Sequence, residues 1–130
     1  MALPPMPHPH LIILRSVVTV VLSCLIGQAG WAAAFLGGEA GYRVHHQVGA
    51  WVTLSVCVAA AVVYVVLRRA AGPVNVTLAV GLAAAASAQY ALGQAHQTSE
   101  HIFVGVLLVM LATALTSWTY RHTLPVEGPS

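Results

Sequence analysis

Four long stretches without a single charged residue constrain the fold of this chain more than any other feature. They cover residues 16–36, 48–67, 74–92 and 102–118. A helix of about 20 apolar residues crosses the hydrocarbon core of a bilayer, whereas a barrel strand has only about 10 residues of alternating polarity. Charged residues make up 6% of the chain, against about 25% in a soluble domain. The sequence therefore predicts an all-α integral membrane protein, a four-helix bundle in the lipid bilayer.

The four spans are predicted to form one domain over residues 11–122, with disordered tails at residues 1–10 and 123–130. The apolar core of a signal peptide has only about 7–15 residues, so we expect the longer first span to stay in the protein. Arg15, Arg68, Arg69 and Arg121 lie on one side of the spans, and only Arg43 lies on the other. Because arginine is enriched on the cytoplasmic side, both termini are predicted to be cytoplasmic in a protein of the cell membrane.

An internal repeat divides the domain into two helix hairpins, at about residues 11–69 and 74–121. The hairpins are predicted to be related by a pseudo-two-fold axis, each burying one face against the other. A shift of 56 positions aligns Leu36, Gly37, His45, Val48 and Gly49 with Leu92, Gly93, His101, Val104 and Gly105.

The second helix of each hairpin opens with the pattern His-x-x-x-Gly. Residues four apart lie on one helical face, so His45 is expected above Gly49 and His101 above Gly105. A pseudo-two-fold axis would bring the two imidazoles together across the core, and glycine would leave room for a flat ligand. Ligation of haem iron by two histidines has these requirements. His45 and His101 are therefore the predicted ligands of a haem b, with His46 as the alternative to His45.

Specific contacts are also predicted for polar and aromatic side chains outside the His-x-x-x-Gly patterns. Arg43 would suit a haem propionate through a charge-assisted hydrogen bond. Glutamines inside a membrane span need hydrogen-bond partners, so interhelical bonds are expected at Gln28 and Gln89. Small residues permit tight helix crossing, which is a second explanation for the two glycines. The interfacial aromatic belt at the cytoplasmic side is predicted to contain Tyr64, Trp118 and Tyr120.

With these residues in view, the chain resembles one four-helix half of the haem A synthase family. The similarity extends from Gln28 to about Arg121 and is carried by HHQVG (residues 45–49), QYALG (89–93) and HIFVG (101–105). The resemblance implies a b-type haem held near the outer face, with Gln89 among the cofactor-binding residues. It also implies a role in electron transfer, haem handling or the assembly of a respiratory complex.

The sequence departs from the enzymatic half of that family at the position that matters for catalysis. Where that half carries a glutamate three residues before its second-helix histidine, this chain has Tyr42, and His46 stands where an arginine follows. The cysteine pair found in many members is absent from both exported loops. The non-catalytic, haem-holding half is therefore the better match, and haem A synthase chemistry is not expected.

Other functions remain open. A cofactor-free structural subunit of a larger membrane complex, or a homo-oligomer, would pack through small residues such as Gly81, Ala85 and Ala88. Imidazole also suits copper and zinc, so metal handling is a third hypothesis, with ligands drawn from His45, His46, His96 and His101. A net charge of +2 gives no reason to expect nucleic acid binding.

Overall fold

The computed structural model describes residues 6–124, and within that range the chain is helical and has no strand. The helices are α1 (Pro9–Leu36), α2 (Tyr42–Val66), the single-turn α3 (Arg68–Ala71), α4 (Pro73–Gln94) and α5 (Thr98–Arg121). All but α3 are long and apolar enough to cross a membrane. The predicted all-α four-helix architecture is confirmed, and the four long helices fit a multi-pass membrane protein.

Proline and glycine mark the ends of the long helices. Pro9 opens α1 and Pro73 opens α4, where a missing N–H costs no helical hydrogen bond. Gly38 and Gly72 adopt φ of 103° and 78°, a region that favours glycine. Because α1 begins at Pro9, the last two residues of the predicted N-terminal tail are helical. Residues 6–8 and 123–124 of the predicted tails have no regular structure, and residues 1–5 and 125–130 lie outside the described residues.

The long helices form a square in which α1 and α4 each pack against both α2 and α5. Helices α2 and α5 are therefore diagonal partners that face each other through the core. Val18, Leu82 and Leu115 are among the fully buried side chains, while Val20, Val62 and Met110 are exposed on the outer faces. Exposed apolar side chains on all sides are what a lipid environment requires, since the hydrocarbon offers no water to polar groups.

The packed core does not run the full length of the bundle. We call the end with the start of α1, α3 and the end of α5 the terminal end, and the end with the loops 37–41 and 95–97 the histidine end. Towards the histidine end, the last buried residues of the four long helices are Leu25, Gly49, Ala86 and Leu108. Beyond them, no described residue is fully buried. The histidine end is the open end of the bundle.

A chain of buried polar groups, here called the terminal network, joins the four long helices near the terminal end. The Tyr64 hydroxyl lies 2.7 Å from Thr119 Oγ1 and 3.2 Å from the Leu14 carbonyl, and its single proton can go to either acceptor. Thr119 donates to Asn75 Oδ1 at 3.4 Å, and Asn75 Nδ2 donates to the Ala71 carbonyl at 2.9 Å. Each helix therefore supplies a member, and hydrogen bonding meets the cost of burying these groups.

Tyr64 corrects one prediction from the sequence. Its side chain is 0% exposed, so it belongs to the core and not to an interfacial aromatic belt. The rotation of α2 points it at Thr119 and the Leu14 carbonyl, which supply the polar partners that a buried hydroxyl needs. Trp118 and Tyr120 are both exposed.

The first and last long helices are also joined by Arg15. Its Nη2 donates to the carbonyls of Tyr120 and His122, at 3.1 and 3.4 Å. Thr19 Oγ1 adds a hydrogen bond of 3.0 Å to the Tyr120 hydroxyl. A cation at the C-terminal end of a helix satisfies carbonyls that have no partner within the helix. Arg15 therefore holds α1 against the end of α5.

Candidate functional site at the histidine end

Two imidazoles meet in the core of the histidine end, one from each diagonal helix. The ring centres of His46 on α2 and His101 on α5 lie 6.1 Å apart, with the ring planes at 85°. Both side chains are half-buried. The pair lies beyond the last fully buried residues of the four long helices, so it is located at the open end of the bundle.

His45, the predicted ligand, faces away from this pair. It is exposed, its Nδ1 lies 3.4 Å from the Gly41 carbonyl, and its ring packs near Trp31 and Tyr42. It lines an apolar groove of about 450 Å³ between α1 and α2. The structure therefore gives the inward position to His46, which the sequence analysis held as the alternative.

The difference has a geometric cause. His45 and His101 each lie three residues after the first residue of their helix, at Tyr42 and Thr98, so the repeat aligns them correctly in sequence. The loop at residues 37–41 is longer than the loop at 95–97, and it sets α2 at a different rotation. Adjacent residues differ by about 100° around a helix axis, so His46 takes the inward direction.

His101 is held by the helix that precedes it in the chain. Its Nδ1 donates to the Gln89 backbone carbonyl at 2.9 Å, and the Gln89 carboxamide nitrogen lies 3.4 Å from Nε2. Gly93 makes the approach possible, because a Cβ there would lie 3.0 Å from His101 Cε1. With the proton on Nδ1, Nε2 accepts the long hydrogen bond from the Gln89 amide, and a ligand at Nε2 would replace that bond. Metal-binding histidines have the same arrangement, in which the other ring nitrogen is hydrogen-bonded to a carbonyl.

His46 has a different support in the first hairpin. The Gln28 carboxamide nitrogen donates to His46 Nδ1 and to the His46 carbonyl, both at 2.8 Å. Because His46 Nδ1 is the acceptor, the proton of the neutral ring lies on Nε2. In both hairpins, a glutamine on the first helix holds the histidine on the second. The interhelical bonds expected at Gln28 and Gln89 are therefore present. Their pairing with His46 and His101 was not foreseen, and polar residues in apolar spans were the only signal for it.

Gly49 and Gly105 accommodate the glutamines. A Cβ at Gly49 would meet Gln28 Oε1 and would lie 2.5 Å from the Trp31 ring, and a Cβ at Gly105 would lie 3.0 Å from Gln89 Nε2. The two glycines thus let neighbouring side chains close over α2 and α5. The sequence offered two explanations for these glycines, room for a flat ligand and close helix packing. The structure fits close helix packing better.

Two carboxamide oxygens at this end have no protein partner. Gln28 Oε1 and Gln89 Oε1 are buried atoms, and no described group donates to either of them. Buried polar atoms are paired in the great majority of cases. The two oxygens are therefore the acceptors that a bound molecule with a donor group would meet next to the imidazoles.

The remaining candidates lie outside the pair. The guanidinium of Arg43 stacks over the Phe35 ring at 5.9 Å and is exposed. His96 lies in the exposed second loop with φ of 56°. Neither residue bonds to His46 or His101, so the structure does not bring the predicted propionate partner to the imidazoles.

The donor set at the histidine end consists of two nitrogens. Across residues 6–124, no group of three or more His, Cys, Asp or Glu side chains is close enough to hold a metal ion. The four histidines of the metal-handling hypothesis are therefore not gathered into one cluster. If a haem were bound here, His46 and His101 would be the residues to hold its iron.

Comparisons with known proteins add no assignment. Neither protein-family models, curated proteins nor solved structures gave a match for this chain. The similarity to haem A synthases therefore stays a prediction carried by three short motifs.

Proposed function

We propose that this chain is a membrane protein that holds one b-type haem between His46 and His101 and uses it in electron transfer. The single observation that carries the proposal is the convergence of two imidazoles from diagonal helices at the open end of the bundle. Such pairs of inward side chains from facing helices build the cofactor sites of four-helix bundles.

The separation of the rings fits a shared metal. The ring centres of His46 and His101 lie 6.1 Å apart, so both imidazoles could reach one haem iron held between them. The rings stand at 85° to each other, and each can turn about its own axis without moving its ring centre.

The supports of the two rings differ. The Gln89 carbonyl accepts the proton of His101 Nδ1, which leaves Nε2 as the atom that would bind a metal and orients the ring as in metal-binding histidines. Gln28 instead donates to His46 Nδ1, so His46 would bind a metal through Nε2 once that nitrogen has lost its proton. When bound, a haem would supply one-electron chemistry, and the two imidazoles would hold it.

The arginine distribution supports an orientation in the membrane. Four of the five arginines lie at the terminal end, so that end is proposed to face the cytoplasm. The imidazoles would then lie near the outer face of the cell membrane. A single site at one face cannot carry an electron across the bilayer, so a membrane-complex partner of the respiratory chain is part of the proposal.

Oxygenation chemistry of the haem A synthase type is not included. Tyr42 occupies the position of the glutamate of the enzymatic half, and its ring packs near the outward-facing His45. Both described acids, Glu39 and Glu100, are exposed at the histidine end. Neither bonds to the imidazole pair.

The proposal is tested by the reduced-minus-oxidised absorbance spectrum of the full chain, purified after expression with haem precursors. A sharp band of reduced b-type haem is expected, and it should be lost in His46→Ala and in His101→Ala. His45→Ala is the matched control, because His45 is adjacent in sequence but faces outward, and it should keep the band. A colourless wild-type protein contradicts haem binding, and a band lost only in His45→Ala contradicts the choice of His46.

One observation favours a second candidate, a cofactor-free structural subunit. Gly81 and Ala88 are exposed on α4, and a Cβ at Gly81 would meet nothing within 4 Å. Small residues on a lipid-facing surface permit close approach of another helix. Co-purification with a large membrane complex should then be lost in Gly81→Leu and should be unaffected by the histidine changes. Unchanged co-purification in Gly81→Leu would contradict this candidate.

A further inference from the structure

The terminal end carries a concentration of positive charge. Arg15, Arg68, Arg69 and Arg121 all lie there, whereas both acids of residues 6–124 lie at the histidine end. Nothing in the described part of the chain therefore neutralises these arginines. At a membrane interface, the complementary charge is available from anionic lipid headgroups.

The four arginines differ in what they bond to. Arg15 donates to the carbonyls at the end of α5, and Arg121 bonds to its own helix at Ser117. Arg68 and Arg69 are exposed, and no group within residues 6–124 accepts a hydrogen bond from either. All N–H donors of the Arg68 and Arg69 guanidinium groups are therefore available to an acceptor outside the described residues.

These two arginines border one groove. It has a volume of about 350 Å³ and lies at the corner between α3 and α4, where Pro73, Val76 and Thr77 complete its lining. Thr77 is exposed and its hydroxyl also bonds to no described group. Val80 is exposed one turn beyond Val76, so the apolar wall continues from the groove along α4. The groove thus has two arginines at one end and an apolar surface leading away from them. These features complement a lipid, which has an anionic headgroup and an apolar acyl chain.

We propose that this groove binds the phosphate of an anionic membrane lipid. The guanidinium groups of Arg68 and Arg69 donate to the phosphate oxygens, a contact for which the planar arginine fork is well suited. The Thr77 hydroxyl adds a neutral donor, and an acyl chain follows Val76 and Val80 along α4. This site is at the opposite end of the bundle from the histidine pair and does not depend on haem binding.

The test is lipid retention measured by native mass spectrometry on the full chain. The protein is equilibrated in detergent with equal amounts of phosphatidylglycerol and phosphatidylcholine. Phosphatidylglycerol is expected to be retained in preference, and Arg68→Gln/Arg69→Gln should lower its retention at least about fivefold. The control is Arg43→Gln/Arg121→Gln, which removes the same charge elsewhere and should leave retention nearly unchanged.

Three outcomes would overturn the proposal. An equal loss in both double variants would mean a diffuse effect of net charge. Equal retention of the two lipids by the wild type would mean that the phosphate charge is not recognised. Displacement of phosphatidylglycerol by millimolar inorganic phosphate would mean a site for a free anion and not for a lipid. Circular dichroism should show unchanged helix content in the variants, because neither Arg68 nor Arg69 bonds to the protein.

Discussion

The two ends of the bundle bury polar groups in different ways. At the terminal end, Tyr64, Thr119 and Asn75 form one network that reaches all four long helices. At the histidine end, each hairpin supports its own imidazole, and each supporting glutamine is left with a buried oxygen that has no partner. The first arrangement links helices of both hairpins, although the Nε atom of Arg15 is also buried at that end without a partner. The second arrangement links helices only within each hairpin.

This contrast separates stability from function. A network that joins all four helices specifies how they pack, and it coincides with the fully buried core. The open end has few buried contacts, and regions of that kind are where local opening is least costly. Binding sites often lie in such regions. The difference between the ends is therefore consistent with the proposed site at the open end.

The largest expected effect is the loss of the Tyr64 side chain. Tyr64→Ala leaves a cavity in the core and leaves Thr119 with one partner fewer, so it should lower the free energy of unfolding by about 3–5 kcal/mol. His101→Ala, at the other end, should cost less than about 1 kcal/mol in the haem-free protein. Unfolding of both variants by SDS titration in mixed micelles checks this. Equal losses would contradict the division between the ends.

A smaller effect is expected from closing the space over α2. Gly49→Ala forces Gln28 and Trp31 to move, and overpacking of this kind costs about 1–3 kcal/mol. Gly81→Ala is the control, because a Cβ there meets nothing, and its effect should stay within about 0.5 kcal/mol. The same SDS titration measures both. If the two glycines tolerate alanine equally well, the glutamine does not pack over Gly49 as described.

The terminal network should respond to the loss of one hydroxyl. Thr119→Val keeps the volume but removes the partner of Tyr64 and Asn75, and it should cost about 0.6–1.7 kcal/mol, the range of interhelical hydrogen bonds in membranes. Thr113→Val provides the comparison, since the exposed Thr113 bonds only to Val109 of its own helix. Its stability should be close to that of the wild type. A larger effect at Thr113 would mean that the network adds little.

The smallest change in stability is expected at Gln28. Gln28→Leu removes two hydrogen bonds to His46 together with an unpaired oxygen, so the haem-free protein should change by less than about 0.5 kcal/mol. Haem affinity should rise, because the Gln28 amide occupies His46 Nδ1 and keeps the proton of the neutral ring on Nε2, the atom that would bind iron. Haem titration followed by absorbance measures this, with the exposed Gln47→Leu as the control. A fall in affinity in Gln28→Leu and not in Gln47→Leu would contradict this role of Gln28.

Much of the architecture could be predicted from the sequence, because the apolar runs are long and the breaks between them carry proline and glycine. The predicted spans fall almost wholly within α1, α2, α4 and α5. Their ends could not be predicted as well, since a helix continues into residues that are not apolar. His10 and Arg15 at the start of α1 show this.

The direction in which an individual side chain points, into the core or outward, could not be predicted from the sequence. The repeat places His45 and His101 at equal distances from the start of their helices, but rotation about the axis depends on the loop geometry, and the two loops differ. Tyr64 was misassigned for the same reason. Its partners Leu14 and Thr119 lie on other helices, and sequence patterns give no rotation of one helix relative to another.

The bond from Arg15 to the end of α5 has a consequence for biosynthesis. The acceptors are the carbonyls of Tyr120 and His122, 105 and 107 positions after Arg15. Helix α1 must therefore wait in the membrane until the three following long helices have been made before this contact can form. A chain cut before Tyr120 would leave that arginine without its acceptors.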